Sequence, residues 1–253
     1  MREARRSLPE RGARPLIPPQ QQRHHAETDP HVKGRWLTDV VLGAQDGLVN
    51  TLGLVLGVAA ASADARVVFA AGMAAGIAES LSMGAVGYTS SVARGELFHS
   101  ERAREYRHLE HAPDIEREEI RALFATKGFE GELLERVVAT ICGNKDVWVA
   151  LMMAEEHELL PVDRRASLRS AGIIGVAALV GSIVPVVPFA VFGLRVSVVV
   201  AVGLGAALLF ALGAFKASVT SGRKTKSGIE LALIGMACAI AGYVVGSVLA
   251  PAR

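Results

Sequence analysis

Residues 39–61 read DVVLGAQDGLVNTLGLVLGVAAA, and residues 67–93 read VVFAAGMAAGIAESLSMGAVGYTSSVA. About 20 predominantly apolar residues suffice to cross a bilayer as a helix, and both stretches reach that length. Each carries a carboxylate near its middle, Asp46 in the first and Glu79 in the second, and neither holds a Lys or Arg. An ionised group at membrane depth is costly and as a rule marks an ion or substrate pathway. The pair therefore sets both the fold class and the first functional expectation: a helical membrane protein whose spans handle a cation or a proton.

Three further stretches have the same character: 171–193 (AGIIGVAALVGSIVPVVPFAVFG), 196–215 (VSVVVAVGLGAALLFALGAF) and 231–250 (LALIGMACAIAGYVVGSVLA). Between the second and third lies a polar block rich in Glu, His and Met. The expected fold is an all-α membrane protein with five transmembrane helices and a three-helix cytoplasmic insert between helices 2 and 3. The expected divisions are a disordered cytoplasmic tail (1–33), transmembrane helices 1–2 (34–93), a cytoplasmic helical metal-binding domain (94–165) and transmembrane helices 3–5 (166–253). The 253 residues are 51% hydrophobic but only 5% aromatic, with 26 Gly. Small residues let spanning helices approach closely where lipid supplies no hydrophobic drive between them.

Orientation follows from Lys and Arg near the span ends. Lys33 and Arg35 precede the first span. Arg94, Arg102, Arg104, Arg164, Arg165 and Arg169 fill the connection between the second and third, and Lys216, Arg223, Lys224 and Lys226 that between the fourth and fifth. The opposite side has Arg66, Arg195 and Arg253. The N-terminus and the polar block are thus expected in the cytoplasm and the C-terminus outside. The tail lacks the apolar core of a secretory signal, and its His24 and His25 read as solvated. A net charge of +2 gives no reason to expect a nucleic-acid partner. Cys142 lies in the polar block and Cys238 in the last span, so neither a disulfide nor a thiolate metal site is expected.

Within the block, SERAREYRHLEHA continues from the second span without a Gly or Pro break, so one long helix is expected to run out of the membrane to Pro113. Asp114 can cap a second helix ending at Gly128. A third is expected over about 130–160, with a possible break at Gly143–Asn144, ending at Pro161.

Asn50 stands one turn after Asp46, and Met83 one turn after Glu79, so each pair shares a helix face. Two carboxylates, an amide and a thioether suit a divalent cation; the bland reading is an interhelical hydrogen-bond cluster. In the block, Glu105 and His108 stand three apart, as do Glu116 and Glu119, and Met152, Met153 and Glu156 lie close together; Glu101 and Glu110 lie near the first set, and Glu155, His157 and Glu158 near the last. The bland reading there is a solvated acidic face, but a Met-Met pair beside acids on a polar helix needs a reason. Carboxylates alone suit Mg²⁺, Ca²⁺ or Mn²⁺; adding thioether and imidazole shifts preference towards Fe²⁺ and its neighbours. No G-x-x-x-x-G-K-[ST] occurs, so ATP is not an evident energy source. A gradient-driven secondary transporter is the default.

Three motifs, DVVLGAQDGLVNTLGLVLGV, AAGIAESLSMGAVGYTS and SGIELALIGMACAIAGYVVG, together with the paired prolines Pro185 and Pro188 of VPVVPF, resemble the vacuolar iron transporter family over about residues 36–250. The resemblance implies a homodimer exchanging cytoplasmic Fe²⁺ or Mn²⁺ for protons, with a path between subunits lined by the first helix. It implies that Asp46, Glu79 and Met83 line that path, and that Glu105, Glu116, Glu119, Met152, Met153 and Glu156 bind metal in the cytoplasm. His108 departs from the family pattern, which has Glu there; imidazole is still a ligand, but neutral, and it titrates near neutral pH. The family name refers to a vacuole, whereas this chain is expected in a plasma membrane, bacterial, exporting metal. The expectation is a transporter and not an enzyme. Two alternatives stay open. One is a membrane-tethered di-iron ferroxidase-like enzyme, because Glu105-x-x-His108 echoes the ligand element of di-iron bundles, although those use a second such element and four helices, against one element and three helices expected here. The other is a metal sensor that does not transport, which the carboxylates inside the spans oppose.

Overall fold

The computed structural model describes residues 35–220 and 222–250; the tail expected over 1–33 lies outside them. Eight helices follow in order: α1 (Arg35–Ala61), α2 (Ala65–His111), α3 (Pro113–Thr126), α4 (Gly131–Cys142), α5 (Lys145–Glu155), α6 (Arg164–Val191), α7 (Leu194–Val219) and α8 (Lys224–Leu249). No strand occurs among the described residues. Five of the helices, α1, α2, α6, α7 and α8, are long and apolar enough to cross a membrane. Outward-facing residues such as Leu81 (71% exposed) and Val199 (72%) are apolar, as a lipid-facing surface requires.

The five long helices share one core. Leu52, Val55 and Leu56 of α1 meet Val68 of α2, Val186 and Phe189 of α6, Ala201 of α7 and Ala239 of α8. Close approach depends on glycine. A Cβ on Gly57 would lie 2.8 Å from the carbonyl oxygen of Gly242, so α1 and α8 cross backbone to backbone. The paired prolines sit inside α6, where each removes an N–H from the helix ladder. Ser197, at the start of α7, is fully buried and its Oγ lies 2.9 Å from the Pro188 carbonyl oxygen and 3.1 Å from that of Phe192. A side chain of one span thus caps the end of the preceding one.

α2 runs unbroken for 47 residues, roughly 70 Å at 1.5 Å per residue, so about half of it projects beyond a bilayer core. Pro113 opens α3, as proline can at a first helical position. Asp114, expected as the cap, lies in the first turn instead; the cap position belongs to Ala112, which makes no side-chain cap bond. The acidic charge there still favours the helix N-terminus. The expected third helix is two helices, α4 and α5, bent by 108°. Asn144 makes the break: its Oδ1 accepts from the N–H groups of Asp146 (3.0 Å) and Val147 (3.3 Å). α5 stops at Glu155, five residues short of the expected end at 160. The projecting half of α2 and α3–α5 enclose their own core of Leu109, Ile120, Val138, Trp148, Val149, Met152 and Met153. Arg121 of α3 grips Glu135 of α4 with two hydrogen bonds, 2.8 and 3.0 Å, and Tyr106 of α2 donates to Asp146 of α5.

Candidate metal path and metal centre

Inside the spans, Asn50 joins the two carboxylates. Its Nδ2 donates to Asp46 Oδ1 at 3.1 Å within α1 and to Glu79 Oε1 across to α2. Helical spacing accounts for the first contact, and only the packing of α1 against α2 for the second. Asp46 and Glu79 are half-buried and Asn50 is exposed, so this polar group opens on one side of the chain. Met83 is half-buried one turn beyond Glu79. Asp39, which the sequence reading passed over, lies seven residues before Asp46 and so on nearly the same face. It is buried and accepts a 2.6 Å hydrogen bond from Ser170 of α6.

In the projecting unit, Glu105, His108 and Glu116 converge so that one ligand atom from each lies within 4.8 Å of the others. His108 Nδ1 is 3.1 Å from Glu116 Oε1 and 4.0 Å from Glu105 Oε1. Both glutamates are almost fully buried, Glu105 at 3% exposure and Glu116 at 4%. One oxygen of each, Oε2, is buried with no hydrogen-bond partner. Buried polar atoms are nearly always paired, so two converging glutamates that each keep an orphaned buried oxygen have the chemistry of a cation site. Burial, reinforced by the negative charges of Glu119 and Glu105, raises the Glu116 carboxyl to about 7. Burial and Glu119 also raise Glu156.

Of the residues singled out in the sequence, Glu119 and Glu156 thus lie within electrostatic reach of the cluster, with largely exposed side chains. Met152 and Met153, each 2% exposed, belong to the apolar core of the unit, where packing alone would also put them. The block holds a second Glu-x-x-His beyond the one expected: Glu96 and His99 repeat the spacing nine residues earlier on α2, about 13 Å away along the axis, and both are exposed. They do not supply the second half of a di-iron site. His157, which the sequence sets near Met152, Met153 and Glu156 but not among the expected ligands, has its Nε2 2.9 Å from Glu105 Oε1. That hydrogen bond raises its imidazole above the usual range. Its closeness in sequence to Met152, Met153 and Glu156 was a signal, but its pairing with Glu105 was not visible there.

The profile of the VIT family matches residues 37–247. Vacuolar iron transporter 2 of Oryza sativa subsp. japonica is 32% identical over 222 residues, covering 85% of this chain and 89% of the relative. Vacuolar iron transporter 1 of Arabidopsis thaliana is 29% identical over 226 residues, covering 89% and 90%. The vacuolar iron transporter of Plasmodium falciparum is 27% identical over 223 residues, covering 84% and 82%.

Proposed function

The chain belongs to the VIT family, and on that premise we propose that it is a secondary transporter that moves Fe²⁺, and related ions such as Mn²⁺, out of the cytoplasm in exchange for protons. That it is an integral membrane metal-ion transporter rather than an enzyme rests on five membrane-length helices and on relatives named as iron transporters. The observation that carries the finer reading is the Asn50 amide holding two carboxylates, Asp46 and Glu79, together between membrane-length helices. Carboxylates bind either a proton or a divalent ion, which is the chemistry exchange needs. Met83 adds a thioether that favours Fe²⁺ over harder cations.

In this reading residues 94–165 form a cytoplasmic collector. Glu105, His108 and Glu116 are its centre, with Glu119, Glu156, Met152 and Met153 as further ligands once metal arrives. The partly exposed face of α1 pairs with a second copy, so that the path runs between two subunits of a homodimer. The N-terminus is cytoplasmic and the C-terminus outside, by the distribution of Lys and Arg. We place the protein in a bacterial plasma membrane; the vacuolar names of the relatives favour the other compartment, and imaging or fractionation of a tagged chain decides.

The central test is metal flux into proteoliposomes across an imposed pH gradient, with Fe²⁺, Mn²⁺, Co²⁺ and Ni²⁺ compared. Fe²⁺ flux that rises with an opposing proton gradient supports exchange. Flux indifferent to the gradient would overturn proton coupling, and no flux of any divalent ion would overturn transport.

A further inference from the structure

We propose that His157 is a metal ligand of the projecting unit and that, with His108, it makes the site select borderline divalent ions over hard ones. This deepens the reading of that unit as a metal collector and rests on it. α5 ends at Glu155, and the chain then turns back tightly: the N–H groups of Glu156 and His157 both bond the Met152 carbonyl, at 3.0 and 3.2 Å, and that of Leu159 bonds the Met153 carbonyl at 2.8 Å. Glu158 takes the left-handed backbone conformation, φ 52°. Helix ends of this kind usually place glycine there, and non-glycine residues adopt it rarely. Leu159 packs on the apolar core beyond the turn. The turn is therefore anchored on both sides, and it holds His157 against α2.

There Nε2 of His157 meets Glu105 Oε1 at 2.9 Å. The same oxygen is approached by His108 Nδ1 at 4.0 Å, and His108 is 3.1 Å from Glu116. Glu105 and His108 of α2 and Glu116 of α3 thus converge within 4.8 Å, His157 reaches the same Glu105 from the turn after α5, and Glu105 Oε2 and Glu116 Oε2 are buried without a partner. The donor set is two imidazoles and two carboxylates. Imidazole suits Fe²⁺, Ni²⁺, Cu²⁺ and Zn²⁺, whereas carboxylate and water suit Mg²⁺, Ca²⁺ and Mn²⁺. His157 would exchange its hydrogen bond to Glu105 for the arriving ion.

The test uses the full-length protein in detergent, with His24→Ala, His25→Ala and His31→Ala to remove the tail imidazoles. Anaerobic competition between Co²⁺ and Mn²⁺ measures selectivity, and pulsed EPR with one equivalent of Cu²⁺ counts coordinated imidazoles. Two imidazole couplings are expected, falling to one in His157→Gln. That variant should lose roughly tenfold or more in Co²⁺ affinity while Mn²⁺ affinity changes much less. Glutamine can still donate to Glu105, so a residue that merely positions Glu105 would be rescued by it, and rescue of Co²⁺ binding would overturn the proposal. A single coupling before any change at position 157, in protein that binds metal, would also overturn it and leave the collector standing. No binding of Co²⁺, Mn²⁺ or Cu²⁺ would instead sink the collector reading itself.

Discussion

At the scale of single residues, the chemistry rests on carboxylates whose surroundings differ. Asp46 accepts from Asn50 at 3.1 Å and no basic side chain stands in either of the first two spans. Asp46→Ala removes a charge without stranding an opposite one, so the protein should fold as before while metal flux into proteoliposomes falls to background. Near-normal flux would remove Asp46 from the path. Glu79 and Met83 share one face of α2. If they hold one ion, truncating both should slow flux by less than the sum of the single losses; additive losses would leave Met83 as packing. In the projecting unit, Glu116 is raised from 4.5 to about 7, so a proton occupies it below that pH and metal must displace the proton. Metal affinity should therefore fall as pH drops through about 7, and calorimetric titrations should find that dependence flattened in Glu116→Gln. Stability carries the opposite sign. The folded chain holds this proton where the unfolded chain does not, so the contribution is full below 4.5 and lost as pH rises through about 7. Bound metal should restore it. Within each helix these pairings were legible from i, i+3 and i, i+4 spacing. His157 was not, because 52 residues separate it from Glu105 and only a turn after α5 brings them together.

At the scale of elements, the continuity of α2 and the break at Gly143–Asn144 could be read from Gly, Pro and Asn. Asn144 acts through its side chain, which satisfies two orphan N–H groups of α5. Asn144→Ala should lower the stability of the projecting unit by about 1 kcal/mol. Hydrogen exchange of the α5 amides would register this as faster exchange confined to that unit, and unchanged exchange would mean that tertiary packing alone fixes the helix start. The early end of α5 and the displacement of Asp114 from the cap were not legible. Both depend on how the chain must turn to bury Leu159 and Ile120 in the core of the unit, which local propensity does not encode.

At the scale of the whole molecule, five long helices share one core, and a second, separate core lies at the projecting end of α2. α1 buries Leu52, Val55 and Leu56 against the other spans but leaves Asn50 and Leu54 exposed. If that face meets a second copy, Leu54→Cys in a chain lacking Cys142 and Cys238 should form a disulfide-linked dimer on oxidation in the membrane. A monomer throughout would argue against a path between subunits. The apolar runs by themselves determined the helical class and the five spans, because the length and hydropathy needed to cross a bilayer are local properties. They also exposed Asp46 and Glu79, since a charge inside such a run is conspicuous wherever it occurs. Only the tertiary structure decided that Asn50 bridges those two carboxylates, that Glu105 and Glu116 lie buried with oxygens left unpaired, and that His157 reaches Glu105. Those relations depend on which helix faces meet. Packing of side chains distant in sequence sets the meeting of faces, and no local pattern specifies it.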